Sequence, residues 1–244
     1  MTRNTALITG VGRREGIGAA IAHRLAKAGY HLLLSHHPVD TDPLHIVSQL
    51  RAEGAQVEAV AFDLGKPDAP KALIDHAVNT LEHCRVLINN AAYSTSCTLS
   101  ELDADILDAH YAVNVRAIAL LCKHFAEHYQ DDGHRSGRII TMTSGQGLTP
   151  MPDELAYAAT KGALDALTLS LSHAVANKGI TVNAVDPGAT DTGWMTAEIK
   201  QRLLEQSPFS RLGTPEDAAN LVHFLASEEA GWITGQVLRS RGGL

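Results

Sequence analysis

Cysteine is scarce in this chain, with three in 244 residues. Cys84, Cys97 and Cys122 are odd in number and lack a metal-ligand spacing. That argues against a disulfide-stapled scaffold or a cysteine-ligated zinc module, and reduced thiols in a cytoplasmic protein are the expectation. Positive charge is also in short supply: 20 Lys and Arg stand against 27 Asp and Glu, a net charge of −7. With no basic run, the balance argues against a nucleic acid or an anionic membrane surface as partner. No apolar stretch reaches the length of a bilayer span, and Met1-Thr2-Arg3-Asn4 leads straight into a strand-like run, so no secretory leader is expected. There are 13 histidines, yet only His36-His37 are adjacent and no His-Glu-x-x-His pattern occurs, so no metal site is expected.

Hydrophobic residues make up 45% of the chain, enough for a substantial core. Short β-branched or Leu-rich runs alternate with longer helical patterns. Strands are predicted at 5–9, 31–35, 56–61, 85–89, 138–143, 180–185 and 236–239. Helices are predicted at about 16–28, 43–53, 67–81, 103–129, 154–176, 191–206 and 215–226. This alternation predicts one doubly wound α/β parallel sheet with helices on both faces and right-handed crossovers. No Pro/Gly-rich linker, repeat or low-complexity segment divides the chain, so residues 1–244 read as a single domain. The stretches at about 145–153 and 186–195 follow the fifth and sixth strands. Ligands of such sheets bind beyond the carboxyl ends of the strands, so substrate loops are expected at about 145–153 and 186–206.

Tyr157 and Lys161 are four residues apart, with Ser144 thirteen residues upstream of the tyrosine. On a helix, positions i and i+4 share a face, which brings a phenol and an ammonium to one site. A phenol has a pKa of about 10 in water, and a neighbouring cation pulls that value down. The pair therefore reads as a general acid/base tuned towards working pH, with Ser144 supplying a hydroxyl donor to a carbonyl oxygen.

Gly10, Gly12, Gly16 and Gly18 join the first strand to the first helix, with Arg13, Arg14 and Ile17 among them. Glycines let the backbone turn tightly and approach a pyrophosphate, and the helix N-terminus supplies free N–H groups. The strict G-x-G-x-x-G fingerprint fails, because Glu15 stands where the third glycine would be. The second strand should end beside the adenosine ribose, where an acid suits NAD and positive charge suits NADP. The run there is Ser35-His36-His37-Pro38, with no acid until Asp40, so NADP(H) is expected over NAD(H). Either Arg13 and Arg14 or His36 and His37 would meet the 2′-phosphate. Asp63, followed by Leu64, is placed to accept from the adenine amino group. Asn90 and Ala91 follow the fourth strand, where small residues permit close backbone approach.

These residues, in this order and at these distances, resemble the short-chain dehydrogenase/reductase family from Thr5 to Gly243, and in particular its 3-oxoacyl-carrier-protein-reductase-like members. The Gly10–Gly18 loop looks like the family's cofactor loop, Asn89-Asn90-Ala91 like its Asn-Asn-Ala-Gly motif, and Asn114 like its catalytic Asn. Ser144, Tyr157 and Lys161 fall on its Ser-Tyr-Lys positions. The segment from Asp186 through Pro187, Gly188 and Thr190 to Thr192 looks like its Pro-Gly segment near the nicotinamide. Ala92 replaces a usual Gly, and Arg241 stands where an Asp commonly precedes the final Gly-Gly. The resemblance implies a Rossmann sheet and NADPH-dependent interconversion of a ketone, a 3-oxoacyl thioester among the candidates, with its secondary alcohol. Lys161 would also hold the nicotinamide ribose, Asn114 would anchor a water leading to solvent, and Thr192 would bond the carboxamide. It further implies a homotetramer, or a homodimer, with the helices at 103–129 and 154–176 pairing across a two-fold.

Gln146, Leu148, Met151 and Pro152, with Trp194 and Met195, make the expected substrate loops mostly apolar, which suits a neutral or hydrophobic ketone. Trp194 reads equally well as a core or subunit contact. Two rival functions share the fold. An enoyl-reducing branch with a wider Tyr-to-Lys spacing would want a tyrosine at position 154, which is Glu154. A non-catalytic NADP(H)-sensing protein would be expected to lack the Tyr or the Lys.

Overall fold

The computed structural model describes residues 4–130 and 136–243; the opening Met1-Thr2-Arg3, on which the expectation of no leader partly rests, lies outside them. Seven strands form a single sheet: β1 (Thr5–Thr9), β2 (His31–His36), β3 (Val57–Ala61), β4 (Val86–Asn89), β5 (Gly137–Met142), β6 (Ile180–Asp186) and β7 (Val237–Arg239). Their spatial order is β3-β2-β1-β4-β5-β6-β7, and every neighbouring pair is parallel. The helices are α1 (Ile17–Lys27), α2 (Pro43–Ala52), α3 (Ala69–Leu81), α4 (Ala104–Tyr111), α5 (Ile118–His128), α6 (Leu155–Val175), α7 (Ala197–Gln206) and α8 (Pro215–Ala226).

Alternation along a central strand assigns its side chains to two cores. Ala6 and Ile8 of β1 belong to one apolar cluster with Ile21 and Leu25 of α1, Leu50 of α2 and Val222 and Leu225 of α8. Leu7, between them, belongs to the other cluster with Leu73 of α3, Leu121 and Phe125 of α5 and Leu164 of α6. Both faces of the central sheet are thus covered, and β1 is buried at every position. This is the Rossmann arrangement expected from the alternating pattern.

Two expected helices are corrected. The stretch predicted as one helix over 103–129 is interrupted by a π-helical segment, Ala112–Ala117, between α4 and α5. Hydrophobic periodicity continues across it, so the sequence pattern conceals the wider turn. The helix expected over 191–206 starts only at Ala197, capped by the Thr196 hydroxyl. Ahead of it, Gly193 has φ +87° and donates its N–H to the Asp191 carboxylate, a turn that a helix cannot contain.

The chain winds from β1 outward to β3, then crosses back so that β4 lies on the other side of β1. The ends of β1 and β4 therefore form a switch point with a crevice between the loops that leave them. One hydroxyl joins the two ends. Thr9 Oγ1 accepts the N–H groups of Asn90 and Ala91, each at 3.1 Å, and reaches the Ile88 carbonyl at 3.3 Å. Asn90 Nδ2 returns the connection by donating to the carbonyls of Thr9 and Gly10 at 2.9 and 3.0 Å. Replacing Thr9 with Val keeps the shape but leaves two amides without this acceptor. The expected cost is about 1–3 kcal/mol of unfolding free energy, read as a lower urea midpoint at unchanged slope; a midpoint equal to that of the parent protein contradicts it.

Candidate active site

A groove of about 620 Å³ opens over the carboxyl ends of β1, β2, β4 and β5. Gly10, Gly12, Arg13, Gly16, Ile17 and Gly18 form one wall. Gly10 has φ +73°, and a Cβ there would lie 2.5 Å from the Cα of Ala91, so only glycine lets the two loops come this close. Gly16 begins α1 without a side chain to cap it. The first N–H groups of α1 thus border the groove, an arrangement suited to phosphate. This cradle fits the pyrophosphate of a dinucleotide.

Further along the groove lie His36, His37, Asp63 and Leu64. His36 Nδ1 is 2.9 Å from the His37 carbonyl, and His37 Nε2 is 3.8 Å from the Asp63 carboxylate. Asp63 also accepts the Gly65 N–H at 2.9 Å. Arg13 and Arg14 part company here. Arg13 lines the groove, whereas Arg14 points to Asp42, 3.5 Å away, and borders a different surface cleft near α8. Asp40 was passed over in the sequence as too distant. Its carboxylate folds back onto Gly12, where any Cβ would overlap it, and accepts the His37 N–H at 2.9 Å. An acid and a base, Asp40 and Arg13, therefore border the same end of the groove.

At the other end, Asn90, Ala91, Pro187 and Thr192 join Tyr157 and Lys161 in the lining. Thr190 is buried instead, with its hydroxyl donating to the Pro187 carbonyl at 3.1 Å. Gly188, at φ +65°, packs on the side chain of Arg241. The two act on the shape of the loop after β6 and do not line the groove.

Tyr157 and Lys161 lie on one face of α6, with the Lys161 Nζ 5.4 Å from the centre of the tyrosine ring. The lysine is buried and donates to the Met142 carbonyl at 2.7 Å, which ties α6 to the end of β5. Ser144 stands next to the Tyr157 phenol and acts to lower its pKa. Asn114 sits in the π segment, and its side chain is fully used. Its Oδ1 accepts the Tyr93 N–H at 2.7 Å, while Nδ2 donates to the Tyr93 carbonyl at 2.8 Å and to Thr160 Oγ1 at 3.0 Å. It fixes the loop after β4 against α6. A π turn in a helix often marks a functional position.

The electrostatics correct one expectation. The phenol was expected to be acidified by the lysine. Burial instead pushes Tyr157 up to about 12, helped by the negative charges of Glu154 and Asp186, with the Ser144 hydrogen bond opposing. Burial likewise pushes Lys161 down to about 8, with Asp165 opposing. The ammonium is engaged by the Met142 carbonyl, so the low-dielectric surroundings outweigh its pull on the phenol. At neutral pH the pair is a neutral phenol beside an ammonium, a proton donor backed by positive charge.

Asp165, one helical turn beyond Lys161, was missed in the sequence although it continues the i, i+4, i+8 series from Tyr157. It accepts Thr143 Oγ1 and Gln146 Nε2, both at 2.6 Å, and burial holds its carboxyl above the usual range. Gln146, expected in the substrate pocket, is thereby committed to bracing the loop after β5. Met151 is half-buried at the far side of that loop. Trp194 is 56% exposed, with its indole N–H donating to the Thr190 carbonyl at 3.0 Å. Among the described residues, no group of three or more His, Cys, Asp or Glu is placed to hold a metal ion, and no helix is long and apolar enough to cross a membrane.

The family model described as Enoyl-(Acyl carrier protein) reductase matches residues 10–244. An uncharacterized oxidoreductase of Bacillus subtilis, YjdA, is 48% identical over 239 residues, covering 98% of this chain and 95% of its own. The 3-oxoacyl-[acyl-carrier-protein] reductase FabG of Staphylococcus epidermidis is 33% identical over 243 residues, with 98% of each covered. Among solved structures, a short chain dehydrogenase from Burkholderia cenocepacia in complex with NADP superposes with a TM-score of 0.91 at 31% identity, covering 99% of this chain and 98% of the other.

Proposed function

The chain belongs to the short-chain dehydrogenase/reductase family of oxidoreductases, and from that premise we propose that it reduces a ketone to a secondary alcohol with NADPH, the reverse reaction being alcohol oxidation. The single observation that carries this reading is the neutral Tyr157 phenol, next to Ser144 and backed by the buried Lys161 ammonium, at one end of a dinucleotide-shaped groove. When bound, the nicotinamide supplies the hydride; the protein binds, orients and moves the proton. The α1 N-terminus and its glycines would hold the pyrophosphate, and Asn90, Ala91, Pro187 and Thr192 would border the nicotinamide half.

Ser144 Oγ and the Tyr157 hydroxyl can both donate to a carbonyl oxygen and stabilise the negative charge that grows there. Tyr157 then gives up its proton. A phenol near 12 is still more acidic than the alcohol that forms, so protonating the developing alkoxide runs downhill. Lys161 lowers the energy of the phenolate left behind, through 5.4 Å of protein interior. Asn114 and Asp165 touch no reacting atom; they hold the β4 and β5 loops against α6.

The substrate class is a neutral or apolar ketone, with a 3-oxoacyl thioester as the candidate supported by the name of the FabG relative. The family model's description favours a second reading, enoyl reduction. The four-residue Tyr157–Lys161 step and Glu154 speak against it. For the cofactor, Arg13 and the two histidines support NADP(H), as do the NADP complexes among the similar structures. Asp40 against Gly12 favours NAD(H). We take the molecule to be a cytoplasmic, single-domain enzyme assembled as a homotetramer or homodimer. Leu107, Tyr111 and Leu169, exposed on α4 and α6, support assembly through those helices; a monomeric mass by light scattering removes that part.

In Tyr157→Phe, kcat for ketone reduction should fall by about 10²–10⁴-fold, while the Kd for NADPH stays unchanged. Activity near that of the parent enzyme, or turnover of a crotonyl thioester in preference to every ketone, overturns the reading. On the cofactor side, KM should be lower for NADPH than for NADH, and Asp40→Ala should widen the gap. A parent enzyme that prefers NADH assigns the decisive role to Asp40.

A further inference from the structure

The residue at which this chain departs from its family near the C-terminus stands at the back of the catalytic site. Arg241 follows β7 by two positions and turns inward. Its Nη1 is 3.0 Å from Oδ2 and 3.4 Å from Oδ1 of Asp186, the buried last residue of β6. The Asp186 side chain is 2% exposed and that of Arg241 13%, so the pair is almost wholly withdrawn from water. The backbone supports the same approach, since Ser240 N donates to the Asp186 carbonyl at 2.8 Å.

Two glycines make the slot for this arginine. A Cβ at Gly145, next to Ser144, would overlap the guanidinium, and a Cβ at Gly188 would lie 2.9 Å from Arg241 Cγ. The side chain is therefore inserted between the loop that carries Ser144 and the loop that carries Pro187 and Thr192. Asp186 Oδ1 also accepts the Gly188 N–H at 2.9 Å, so one carboxylate holds both the arginine and the second loop.

We propose that Arg241 is a positioning residue of the active site: inserted between Gly145 and Gly188 and paired with Asp186, it locks the two substrate-side loops together and offsets part of a buried negative charge behind Tyr157. The proposal rests on the reductase reading for its catalytic part.

The charged and titratable groups around the phenol make the sign clear. From α6 and its start come Glu154, Lys161 and Asp165; from β6 comes Asp186; from the C-terminal strand and tail come Arg239 and Arg241. The charges of Glu154 and Asp186 raise the phenol, and that of Asp186 raises the Asp165 carboxyl as well. Without Arg241, the buried Asp186 charge is left uncompensated at the site that must form a phenolate during alcohol oxidation.

The test uses the full chain and three variants. Arg241→Met keeps the length of the stem and removes the charge, Arg241→Lys keeps the charge, and the double variant Arg241→Met/Asp186→Asn removes both charges. In Arg241→Met, the rate of alcohol oxidation at pH 7 should fall by about tenfold or more. In Arg241→Lys it should stay near that of the parent enzyme, and in the double variant it should return. Hydrogen exchange should speed up in peptides covering 144–149 and 187–193 of Arg241→Met. A parent enzyme that turns over no ketone or alcohol sinks the reductase reading, and the exchange result alone then judges the clamp. Unaltered exchange in both peptides, or an oxidation rate that does not fall, overturns the proposal. Should Arg241→Met fail to fold, the double variant decides: an oxidation rate well below that of the parent enzyme overturns the charge-offsetting role.

Discussion

A buried ammonium bonded to a strand-end carbonyl holds the catalytic region together. Lys161 Nζ donates to the Met142 carbonyl at 2.7 Å, and that contact fixes α6 against the end of β5. The groups around it are placed relative to that contact. Tyr157 lies one helical turn back, Asp165 one turn on, and Ser144 two residues beyond the carbonyl. An isolated buried cation is costly, and its usual escape is to lose its proton. Here the carbonyl and the nearby Asp165 keep the group charged at neutral pH, although burial brings its pKa down to about 8. The site is thus poised close to the edge of deprotonation, which gives it a built-in upper pH limit.

The second constraint is topological. All seven strands run the same way, so their carboxyl ends present their loops on one side of the sheet. The reversal of strand order between β1 and β4 opens the crevice, and the Thr9 hydroxyl prevents it from opening further. Asn114 and Asp165 brace the loops after β4 and β5, while the Asp186–Arg241 pair braces the loop after β6. The loops after β1, β4, β5 and β6 are therefore each anchored by a buried or half-buried polar contact, which holds reacting groups in place at little reorganisation cost.

The parallel sheet, both helix layers and the approach of Lys161 to Tyr157 were legible in the sequence because each depends on local spacing. Strand and helix periodicities differ, and a helical i, i+4 step brings two side chains together whatever surrounds them. What stayed hidden depends on packing. The π turn around Asn114 does not interrupt the hydrophobic pattern. The turn at Gly193 delays α7 through one backbone angle. Arg14 is drawn away from the groove by Asp42, and Asp40 is brought into it by the His37 amide, both long after the motif that places Arg13. The phenol's direction of shift was misjudged because spacing reveals the neighbour but not the desolvation. Arg241 was visible as a departure; its partner, separated by 55 positions, was not.

The most direct test is the pH dependence of kcat/KM for NADPH-driven ketone reduction. Below about 8 Lys161 is charged, and above it the charge that lowers the energy of the phenolate is lost. The sign follows: reduction should be level through neutrality and decline as the pH rises past about 8, and Lys161→Met should be slow at every pH with that decline removed. A profile that still climbs above pH 9, or a decline that persists in Lys161→Met, contradicts the account.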